Sequence, residues 1–267
     1  MRIEREFVQN MFDISGKVAI VTGAAGALGS AVAGGYGFAG AKVMLTGRGE
    51  SKLKALYEEM TAQGIDCAYS VGDPVNEEDV KKVVEATVEK FGRVDVLVTA
   101  AGFNAPKPIL EQSVEEWEKI MDANVKGTWL YAKYAGEQMV KQGEGGKVIL
   151  VSSARSKAGM KGYTGYCTAK AGIDLMAQSL ACEWGQYGIN VNTINPTVFR
   201  SELTEWMFHD DTAKTKFLTR LPIGRLGEPS DFAGACIFLA SDASNFITGA
   251  NLDRKSTRLN SSHMSIS

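Results

Sequence analysis

The sequence has few of the residues on which metal centres and disulfide frameworks depend. Only two of its 267 residues are histidines, and they belong to no cluster with ligand spacing, so no metal site is expected. Four cysteines are scattered along the chain without a C-x-x-C pair, which favours a reduced, intracellular setting. The composition therefore gives no support to a metal-centred or disulfide-stabilised protein.

Net charge and long apolar runs are also scarce. The formal net charge is only −2, which gives no reason to expect a nucleic acid or an acidic membrane as a partner. No run approaches the roughly 18 apolar residues of a membrane span, and residues 1–12 lack the apolar region of a signal peptide. With 45% hydrophobic and 22% charged residues, the sequence predicts a globular protein of the cytoplasm.

Short apolar runs alternate with longer amphipathic segments throughout the chain. The runs predicted as strands are Val18–Thr22, Lys42–Thr46, Cys67–Val71, Val94–Val98, Val148–Val151 and Asn190–Ile194. The predicted helices are Ala27–Phe38, Ser51–Ala62, Glu77–Phe91, Ser113–Gln142, Tyr166–Tyr187 and Ser230–Ala240, with a lid-like segment at Ser201–Leu218. This alternation indicates a single α/β domain with a doubly wound parallel sheet. Ligands of such a fold bind along the carboxyl ends of its strands.

The first strand leads into a turn rich in glycine. The segment Thr22-Gly-Ala-Ala-Gly-Ala-Leu-Gly29 separates this strand from a helix of small residues. Glycines at a strand-to-helix turn let backbone amides and the positive end of the helix contact a pyrophosphate. The turn therefore predicts a dinucleotide site, with an ordinary tight turn as the alternative.

The loop after the second strand bears on the choice between two nicotinamide cofactors. NAD sites commonly place a carboxylate about 20 residues beyond the glycines, where it binds the adenosine ribose. Here Gly47 occupies that place and Arg48 follows, and a guanidinium suits the 2′-phosphate of NADP. NADP is therefore the favoured cofactor. NAD is the alternative, with Glu50 on the ribose and Arg48 as a solvated loop residue.

The stretch from Val148 to Lys170 carries the strongest sign of chemistry. Its strand ends in Ser152 and Ser153, and a glycine-containing loop leads to Tyr166, which opens a predicted helix. Tyr166 and Lys170 lie on one face of that helix because they are four residues apart. The ammonium is expected to lower the pKa of the phenol from about 10 toward neutrality. The trio suits proton transfer to or from an alcohol or carbonyl, although Tyr-x-x-x-Lys alone is an ordinary surface pairing.

These motifs together resemble the short-chain dehydrogenase/reductase family over roughly residues 12–252. The family implies a seven-stranded Rossmann-like fold and a catalytic set that corresponds here to Asn124, Ser153, Tyr166 and Lys170. By this resemblance Tyr166 is the general acid/base and Ser153 orients the substrate oxygen. Lys170 lowers the pKa of the tyrosine and binds the nicotinamide ribose, and Asn124 holds a water of the proton relay. A purely structural role is the alternative for Asn124.

The same resemblance assigns cofactor contacts along the chain. They are Thr22, Gly23, Gly26, Leu28, Gly29, Arg48, Asp73, Ala101, Gly102, Tyr166, Lys170, Pro196 and Ser201. Within this set, Asp73 is expected at the adenine, and Pro196 and Ser201 are expected at the carboxamide.

Several positions depart from the family pattern. Ala27 and Thr197 stand where the family has glycine, and Thr99 stands where it has asparagine. The chain end departs further, because residues 253–267 are polar, serine-rich and without strand alternation. We expect residues 1–252 to form one domain and residues 253–267 to be a disordered tail foreign to the fold. The last strand is then truncated and the sheet loses an edge strand.

The sequence thus predicts an oxidoreductase that transfers a hydride between NADP(H) and a secondary alcohol or ketone. The substrate is weakly encoded. Arg155, Lys157 and Arg200 could receive a carboxylate or be solvated loop charges. The segment Met11–Lys17 resembles sugar-acid members such as gluconate 5-dehydrogenase, so a sugar acid or polyol is one expectation. The apolar segment Trp206–Phe208 could cover an acyl chain, which makes a 3-oxoacyl thioester reductase the main rival.

Two further expectations concern the protein's partners. A non-catalytic dinucleotide-binding sensor or scaffold on the same fold is an alternative of another class. The intact set of Asn124, Ser153, Tyr166 and Lys170 disfavours it, because a pure binder has no need of a proton relay. The family resemblance also implies a homo-oligomer, a tetramer or a dimer, formed through the long fourth and fifth helices.

Overall fold

A seven-stranded parallel sheet forms the centre of the protein. The computed structural model describes residues 4–202, 204–210, 215, 218, 221 and 223–253. The strands are β1 (Val18–Thr22), β2 (Lys42–Gly47), β3 (Cys67–Val71), β4 (Val96–Thr99), β5 (Gly146–Val151), β6 (Ile189–Asn195) and β7 (Asn251–Asp253). Their order is β3-β2-β1-β4-β5-β6-β7, and every neighbouring pair is parallel.

Helices cover both faces of this sheet. Within the described residues they are α1 (Arg5–Asn10), α2 (Ala27–Phe38), α3 (Glu50–Ala62), α4 (Glu77–Phe91), α5 (Val114–Met121), α6 (Gly127–Gln142), α7 (Thr164–Trp184), α8 (Glu205–His209) and α9 (Pro229–Ala240). None of these helices combines the length and the apolar character that crossing a membrane requires.

Strand β1 illustrates why the sheet lies between two helical layers. All five of its residues are buried, and successive side chains point to opposite faces. Ala19 and Val21 belong to a core cluster that includes Val32 of α2, whereas Ile20 belongs to a second cluster that includes Val83 of α4. Burial on both faces explains the continuous apolar runs of the strands. The predicted doubly wound, Rossmann-like α/β fold is confirmed.

The sheet has its topological switch point between β1 and β4. Strand β1 pairs with β2 on one side and with β4 on the other, so the connections that leave β1 and β4 pass to opposite faces. The hydroxyl of Thr22, at the end of β1, accepts a hydrogen bond from the amide of Ala101, after β4, over 3.1 Å. The glycine turn and the loop after β4 therefore meet at the edge where a ligand is expected.

The long helix predicted over Ser113–Gln142 is divided by a π-helical turn. Helix α5 begins with a capping box formed by Ser113 and Glu116, and α6 resumes at Gly127. Between them, Asp122–Lys126 forms the π-helical turn and contains Asn124. Such turns place one extra residue in the helix and are frequent at functional sites. A continuous helix was therefore the wrong prediction for this segment.

The seventh strand corrects a second prediction. Strand β7 pairs with β6 in the register Thr193↔Asn251, so the expectation that the sheet loses an edge strand is wrong. Two contacts explain why the strand forms: the Thr193 hydroxyl donates to Asn251 Oδ1 over 2.8 Å, and Leu252 packs on the first core cluster. Asp253 belongs to this strand rather than to the predicted tail. Residues 254–267 lie outside the described residues.

The predicted lid, Ser201–Leu218, is described only in part, since residues 203, 211–214, 216 and 217 lie outside the described residues. Helix α8 forms the largest described piece of it. Here Phe208 stacks against Arg200, with 4.0 Å between the guanidinium carbon and the ring centroid. Phe208 thus packs on a charged residue, while Trp206 is exposed.

Candidate active site

Four side chains from different elements converge at the carboxyl edge of the sheet. Ser153 follows β5, Tyr166 and Lys170 lie on α7, and Asn124 lies in the π-helical turn. A Cβ built on Gly102 would lie 2.9 Å from Asn124 Oδ1 and 3.6 Å from Lys170 Nζ, so these two side chains meet beside that glycine. The structure therefore brings together all four residues of the predicted catalytic set.

Ser153 and Tyr166 lie close to each other at the carboxyl end of β5. Burial raises the pKa of the Tyr166 phenol, and the nearby Ser153 hydroxyl acts in the opposite direction. The backbone N–H of Arg155 donates to Ser153 Oγ over 3.2 Å and helps to orient it. The ring of Tyr163 contacts the Tyr166 ring edge-on, with 6.4 Å between centroids. These contacts orient both side chains toward the carboxyl end of β5, where an oxygen of a substrate can contact them.

Lys170 lies under the tyrosine ring rather than at its hydroxyl. Its ammonium donates to the carbonyl oxygen of Val151 over 2.9 Å and lies 5.5 Å from the centroid of the Tyr166 ring. The side chain is only 4% exposed, and burial lowers the pKa of the ammonium to about 8, with the charge of Asp174 acting in the opposite direction. An ammonium has three donors, so two remain for a ligand.

The expected lowering of the tyrosine pKa is contradicted. Burial raises the pKa of the Tyr166 phenol, and the nearby Ser153 hydroxyl and the charge of Arg155 only partly oppose it. The physical reason is that a buried phenolate loses its hydration, while the Lys170 ammonium is directed to a backbone carbonyl. Tyr166 is therefore a neutral phenol, a proton donor, in this structure.

Asn124 owes its position to the π-helical turn. Its side-chain amide donates to the carbonyl oxygens of Ile120, over 2.8 Å, and Phe103, over 2.6 Å. Its Oδ1 atom is buried and has no hydrogen-bond partner among the described residues. Both donors serve the fold, whereas the acceptor beside Lys170 is left for a ligand or a water. This geometry agrees with both interpretations of Asn124, a structural one through its donors and a relay one through its acceptor.

Two residues that the sequence alone did not single out, Asn195 and Asp174, stabilise the elements that carry the catalytic set. Asn195, at the end of β6, donates to both carboxylate oxygens of Asp174, over 3.1 and 3.0 Å, and to Ser156 Oγ over 2.9 Å. Asp174 lies four residues after Lys170 on α7 and is buried. The signal that could have found it was the spacing of a carboxylate on the face that carries Tyr166 and Lys170.

The glycine turn is built so that its backbone is open to an anion. A Cβ on Gly29 would lie 2.2 Å from the carbonyl oxygen of Gly23, and Gly23 itself has a positive φ of 62°. No side chain caps the first amides of α2, and its first turn carries no acidic residue. These amides and the helix dipole suit a phosphate, so the predicted contacts Gly26 and Leu28 lie where a pyrophosphate fits.

The remaining predicted cofactor contacts lie along the same edge. Thr22 and Ala101 join β1 to the loop after β4. The buried hydroxyl of Thr99 has no hydrogen-bond partner, as expected where a ligand completes a site. Arg48 is exposed, with no ion pair or hydrogen bond to any described residue. The residues present thus fit a nicotinamide dinucleotide with an extra phosphate.

Three further predicted contacts are placed less directly. One carboxylate oxygen of Asp73 accepts from the amide of Val75 over 3.2 Å and leaves the other for a ligand. Pro196 follows β6 and is buried, and its carbonyl accepts from the amide of Ala154 over 3.0 Å. Ser201 hydrogen-bonds Thr204 over 2.9 Å and lines a cleft beside α2.

The three cations proposed as carboxylate receivers differ in their surroundings. Arg200 is paired with Glu205, over 2.6 Å, and with Glu228, over 3.0 Å, so it is not a free receiver. Lys157 is exposed on its loop, and Arg155 is half-buried. Among the described residues, no group of three or more histidine, cysteine or acidic side chains could hold a metal ion.

Known proteins are similar to this chain over most of its length. Residues 23–254 match a family model of the short-chain type described as enoyl-(acyl carrier protein) reductase. An uncharacterized oxidoreductase of Mycobacterium tuberculosis is 45% identical over 244 residues, which is 89% of each chain. The 2-dehydro-3-deoxy-D-gluconate 5-dehydrogenase of Formosa agariphila is 33% identical, over 90% of this chain and 91% of the relative.

A solved structure extends the likeness to the fold. The gluconate 5-dehydrogenase of Burkholderia cenocepacia, in complex with NADP and tartrate, gives a TM-score of 0.88 at 27% identity. The match covers 93% of this chain and 97% of that chain, so the two proteins share one architecture throughout.

Proposed function

Because this chain belongs to the short-chain dehydrogenase/reductase family, we propose that it transfers a hydride between NADP(H) and a secondary alcohol or ketone of a sugar acid or polyol. Its reaction class, NAD(P)-dependent oxidation of CH–OH or reduction of C=O, follows from that membership. The observation that carries the proposal is the convergence of Asn124, Ser153, Tyr166 and Lys170 at the switch-point edge of the sheet.

Ser153 and Tyr166 both act on the carbonyl oxygen of the substrate during reduction. The cofactor, when bound, would supply a hydride to the carbonyl carbon. Ser153 donates a hydrogen bond to the carbonyl oxygen and holds it beside Tyr166, and it stabilises the charge that develops there. The neutral phenol of Tyr166 gives its proton to that oxygen. In the oxidising direction the same steps run in reverse, and the ionised phenol takes the proton.

Lys170 and Asn124 form the route by which Tyr166 regains its proton from solvent. Two donors of Lys170 have no acceptor among the described residues, and they would bind the nicotinamide ribose hydroxyls. The free acceptor of Asn124 lies beside Lys170 and can hold the water that links the site to solvent. Asp174 and Asn195 fix the end of β6 and the turn that carries Ser153. They act as positioning residues and do not touch the reacting atoms.

The cofactor is NADP. The exposed, unpaired guanidinium of Arg48 follows β2, where an adenosine 2′-phosphate needs a cation. The gluconate 5-dehydrogenase of B. cenocepacia, which shares the fold, binds NADP. Glu50 opens α3 and is exposed, so it does not occupy the place of an NAD-type carboxylate directly after β2.

The sugar-acid assignment rests on the relatives. A 5-dehydrogenase of 2-dehydro-3-deoxy-D-gluconate and a gluconate 5-dehydrogenase both match almost the full chain. The rival, a 3-oxoacyl thioester reductase, is favoured by the family model, which is described by its acyl-carrier-protein substrates. Phe208, predicted as part of an apolar cover, instead packs on Arg200, which weakens the rival.

A substrate screen tests this proposal. The purified protein is offered 5-keto-D-gluconate or acetoacetyl thioester with NADPH or NADH, and loss of the reduced nicotinamide absorbance is followed. We expect reduction of the keto acid with NADPH, and no reduction by the matched Tyr166→Phe protein. Activity on the thioester alone would support the rival, and NADPH binding without turnover on any carbonyl would support a sensor or scaffold.

We also propose that the protein is a homo-oligomer. Helices α6 and α7 carry large apolar side chains that are exposed in the single chain, Trp129 at 47% and Leu175 at 64%. Light scattering of the purified protein gives the molar mass directly. A dimer or tetramer is expected, with Leu175→Lys shifting the mass toward the monomer, and a monomeric wild type would refute the proposal.

A further inference from the structure

Arg155 lies beside the reacting centre with its guanidinium unused. It occupies the short 3-10 turn Ala154–Ser156 that follows Ser153. Its side chain is half-buried, and no described residue forms an ion pair or a hydrogen bond with its guanidinium. A partly desolvated guanidinium with five free donors is an unfulfilled anion-binding group.

The charge of Arg155 is felt at the catalytic hydroxyl. It lowers the pKa of Tyr166, against the larger effect of burial. The backbone N–H of the same residue donates to the hydroxyl of Ser153. Arg155 therefore contacts one catalytic residue through its backbone, and its charge acts on the other. An anion bound to its guanidinium would be part of the molecule whose oxygen Ser153 and Tyr166 hold.

Other cations near the cleft are already engaged or face solvent. Arg200 is held by two glutamates, and Lys107 is paired with Glu116 over 2.9 Å. Lys157 and Lys161 lie on the same loop as Arg155 but are exposed, so their charges are screened by water. Of the cations on that loop, Arg155 has the partly buried position in which a carboxylate is bound most strongly.

We propose that Arg155 binds the carboxylate of the substrate and makes the enzyme select hydroxylated carboxylic acids over neutral polyols. The inference rests on the proposed function and names the substrate class within it. A carboxylate accepts two parallel N–H bonds from a guanidinium. A neutral hydroxymethyl group at the same place leaves the guanidinium without an anion, and such a substrate binds more weakly.

The test compares two substrates that differ only in the charged group. D-Gluconate and D-glucitol share their carbon chain and hydroxyl configuration, but only gluconate has a carboxylate. The readout is the ratio of kcat/KM for gluconate to kcat/KM for glucitol, both measured with NADP. Because Arg155 also affects the acidity of Tyr166, its replacement changes both rates, and the ratio cancels that common effect.

In the wild type the ratio is expected to exceed one, and in Arg155→Gln it should fall about ten- to hundred-fold, mainly through the KM for gluconate. The ratio should fall less in Arg155→Lys, because the charge remains while the paired donors are lost. Lys161→Gln is the matched control from the same loop, and its ratio should stay within about two-fold of the wild type.

Three outcomes would overturn the inference. The ratio could be unchanged in Arg155→Gln, it could fall equally in Lys161→Gln, or it could fall in Lys157→Gln instead, which would move the carboxylate to that residue. Failure of the proposed function looks different, since a wild type that oxidises neither substrate contradicts the sugar-acid and polyol assignment itself. A circular dichroism melt of each variant shows that the fold is retained.

Discussion

Two buried lysines lie near opposite ends of strand β5, Lys147 within the strand and Lys170 on α7. They differ in how their ammonium donors are used. Lys147, at the amino end, donates to three side-chain oxygens over 2.8, 3.4 and 2.7 Å, which belong to Asn190, Ser244 and Asn245. Lys170, at the carboxyl end, donates to one acceptor, the carbonyl oxygen of Val151. Burial lowers the pKa of both ammonium groups to about 8.

Equal burial and equal acidity therefore do not identify the functional lysine. A perturbed pKa marks a candidate, and structural networks perturb pKa values as well. The difference lies in the free donors: the protein satisfies all three of Lys147, whereas two of Lys170 are left beside the unsatisfied acceptor of Asn124. The carboxyl edge is incomplete without a ligand, and the amino edge is complete.

The size of a cleft does not identify the functional edge of the sheet either. A cleft of about 930 Å³ opens at the amino edge and is lined by Lys17, Arg93 and Lys147. Lys17 is paired with Asp242 over 3.2 Å, and Arg93 with Asp95 over 2.6 Å. These cations hold strand ends and loops together, whereas Arg48 and Arg155 at the carboxyl edge have no such partner among the described residues.

The largest expected contrast is between the two lysines themselves. Lys170→Met should lower kcat/KM by about 10²–10⁴, because it removes the ribose donors and the ammonium beneath Tyr166. Lys147→Met should leave kcat/KM within about two-fold, since its contacts lie at the opposite edge. Steady-state assays of both purified variants, with circular dichroism as a check on folding, make the comparison. Equal losses in the two variants would break it.

A second contrast uses two glycines that meet backbone oxygens. A Cβ added at Gly29 would lie 2.2 Å from the carbonyl oxygen of Gly23. One added at Gly145 would lie 2.6 Å from the carbonyl oxygen of Gly188. Both Gly29→Ala and Gly145→Ala should therefore lower the free energy of unfolding, by about 1–3 kcal/mol or more. Only Gly29→Ala should also weaken NADPH binding, by at least about ten-fold, because it displaces the phosphate-binding turn.

Urea titration and NADPH fluorescence measure the two quantities separately. The contrast fails if Gly145→Ala weakens NADPH binding as much as Gly29→Ala does.

A third contrast compares an unpaired cation of the carboxyl edge, among the described residues, with a paired cation of the amino edge. Arg48→Ala should raise the KM for NADPH about ten- to hundred-fold and leave the KM for NADH nearly unchanged, since only NADPH carries the 2′-phosphate. Lys17→Ala, which removes a paired cation of the amino edge, should change neither value. Parallel assays with both cofactors give the result. A similar rise for NADH would mean that Arg48 does not bind the 2′-phosphate.

The smallest effect concerns stability and pH. Lys147 has a pKa of about 8 in the folded chain against an ordinary value of 10.5, with the Lys17 and Asp242 charges acting in opposite directions. Between these values the unfolded chain holds a proton that the folded chain has released. The free energy of unfolding therefore gains from this group as pH rises through that window, by about 1 kcal/mol per pH unit, and it shows no such dependence below pH 8.

The measurement is the difference in unfolding free energy between wild type and Lys147→Met, taken by urea titration at several pH values. The difference cancels the contributions of tyrosines and cysteines common to both proteins. Lys170→Met should show the same trend, although only that variant loses activity. A flat difference for Lys147→Met would mean that its burial is not reflected in its protonation.

Much of the fold could be predicted from the chain alone. The bounds of β1, α2, β3 and α4 agree with prediction because glycines, apolar runs and charged first turns mark them locally. Strand β7 was missed because its first residue, Asn251, is held by Thr193 of a distant strand, and the preceding Ala250 is held by Asn192. The π-helical turn was missed because its cause, the contacts of Asn124, is tertiary.

The site divides in the same way. Spacing and residue type were enough to name Ser153, Tyr166 and Lys170. The direction of the tyrosine pKa could not be predicted, because it depends on burial and on the acceptor that the lysine actually contacts. The difference between paired Arg200 and unpaired Arg155 is likewise a property of the folded chain.

The central claim, that the neutral phenol of Tyr166 protonates the substrate oxygen, is tested most directly by single-turnover reduction with Tyr166→Phe. This variant keeps the ring above Lys170 and removes only the hydroxyl. The rate of NADPH oxidation should fall by about 10²–10⁴ while the Kd for NADPH stays within about two-fold. A single-turnover rate close to that of the wild type would contradict the account.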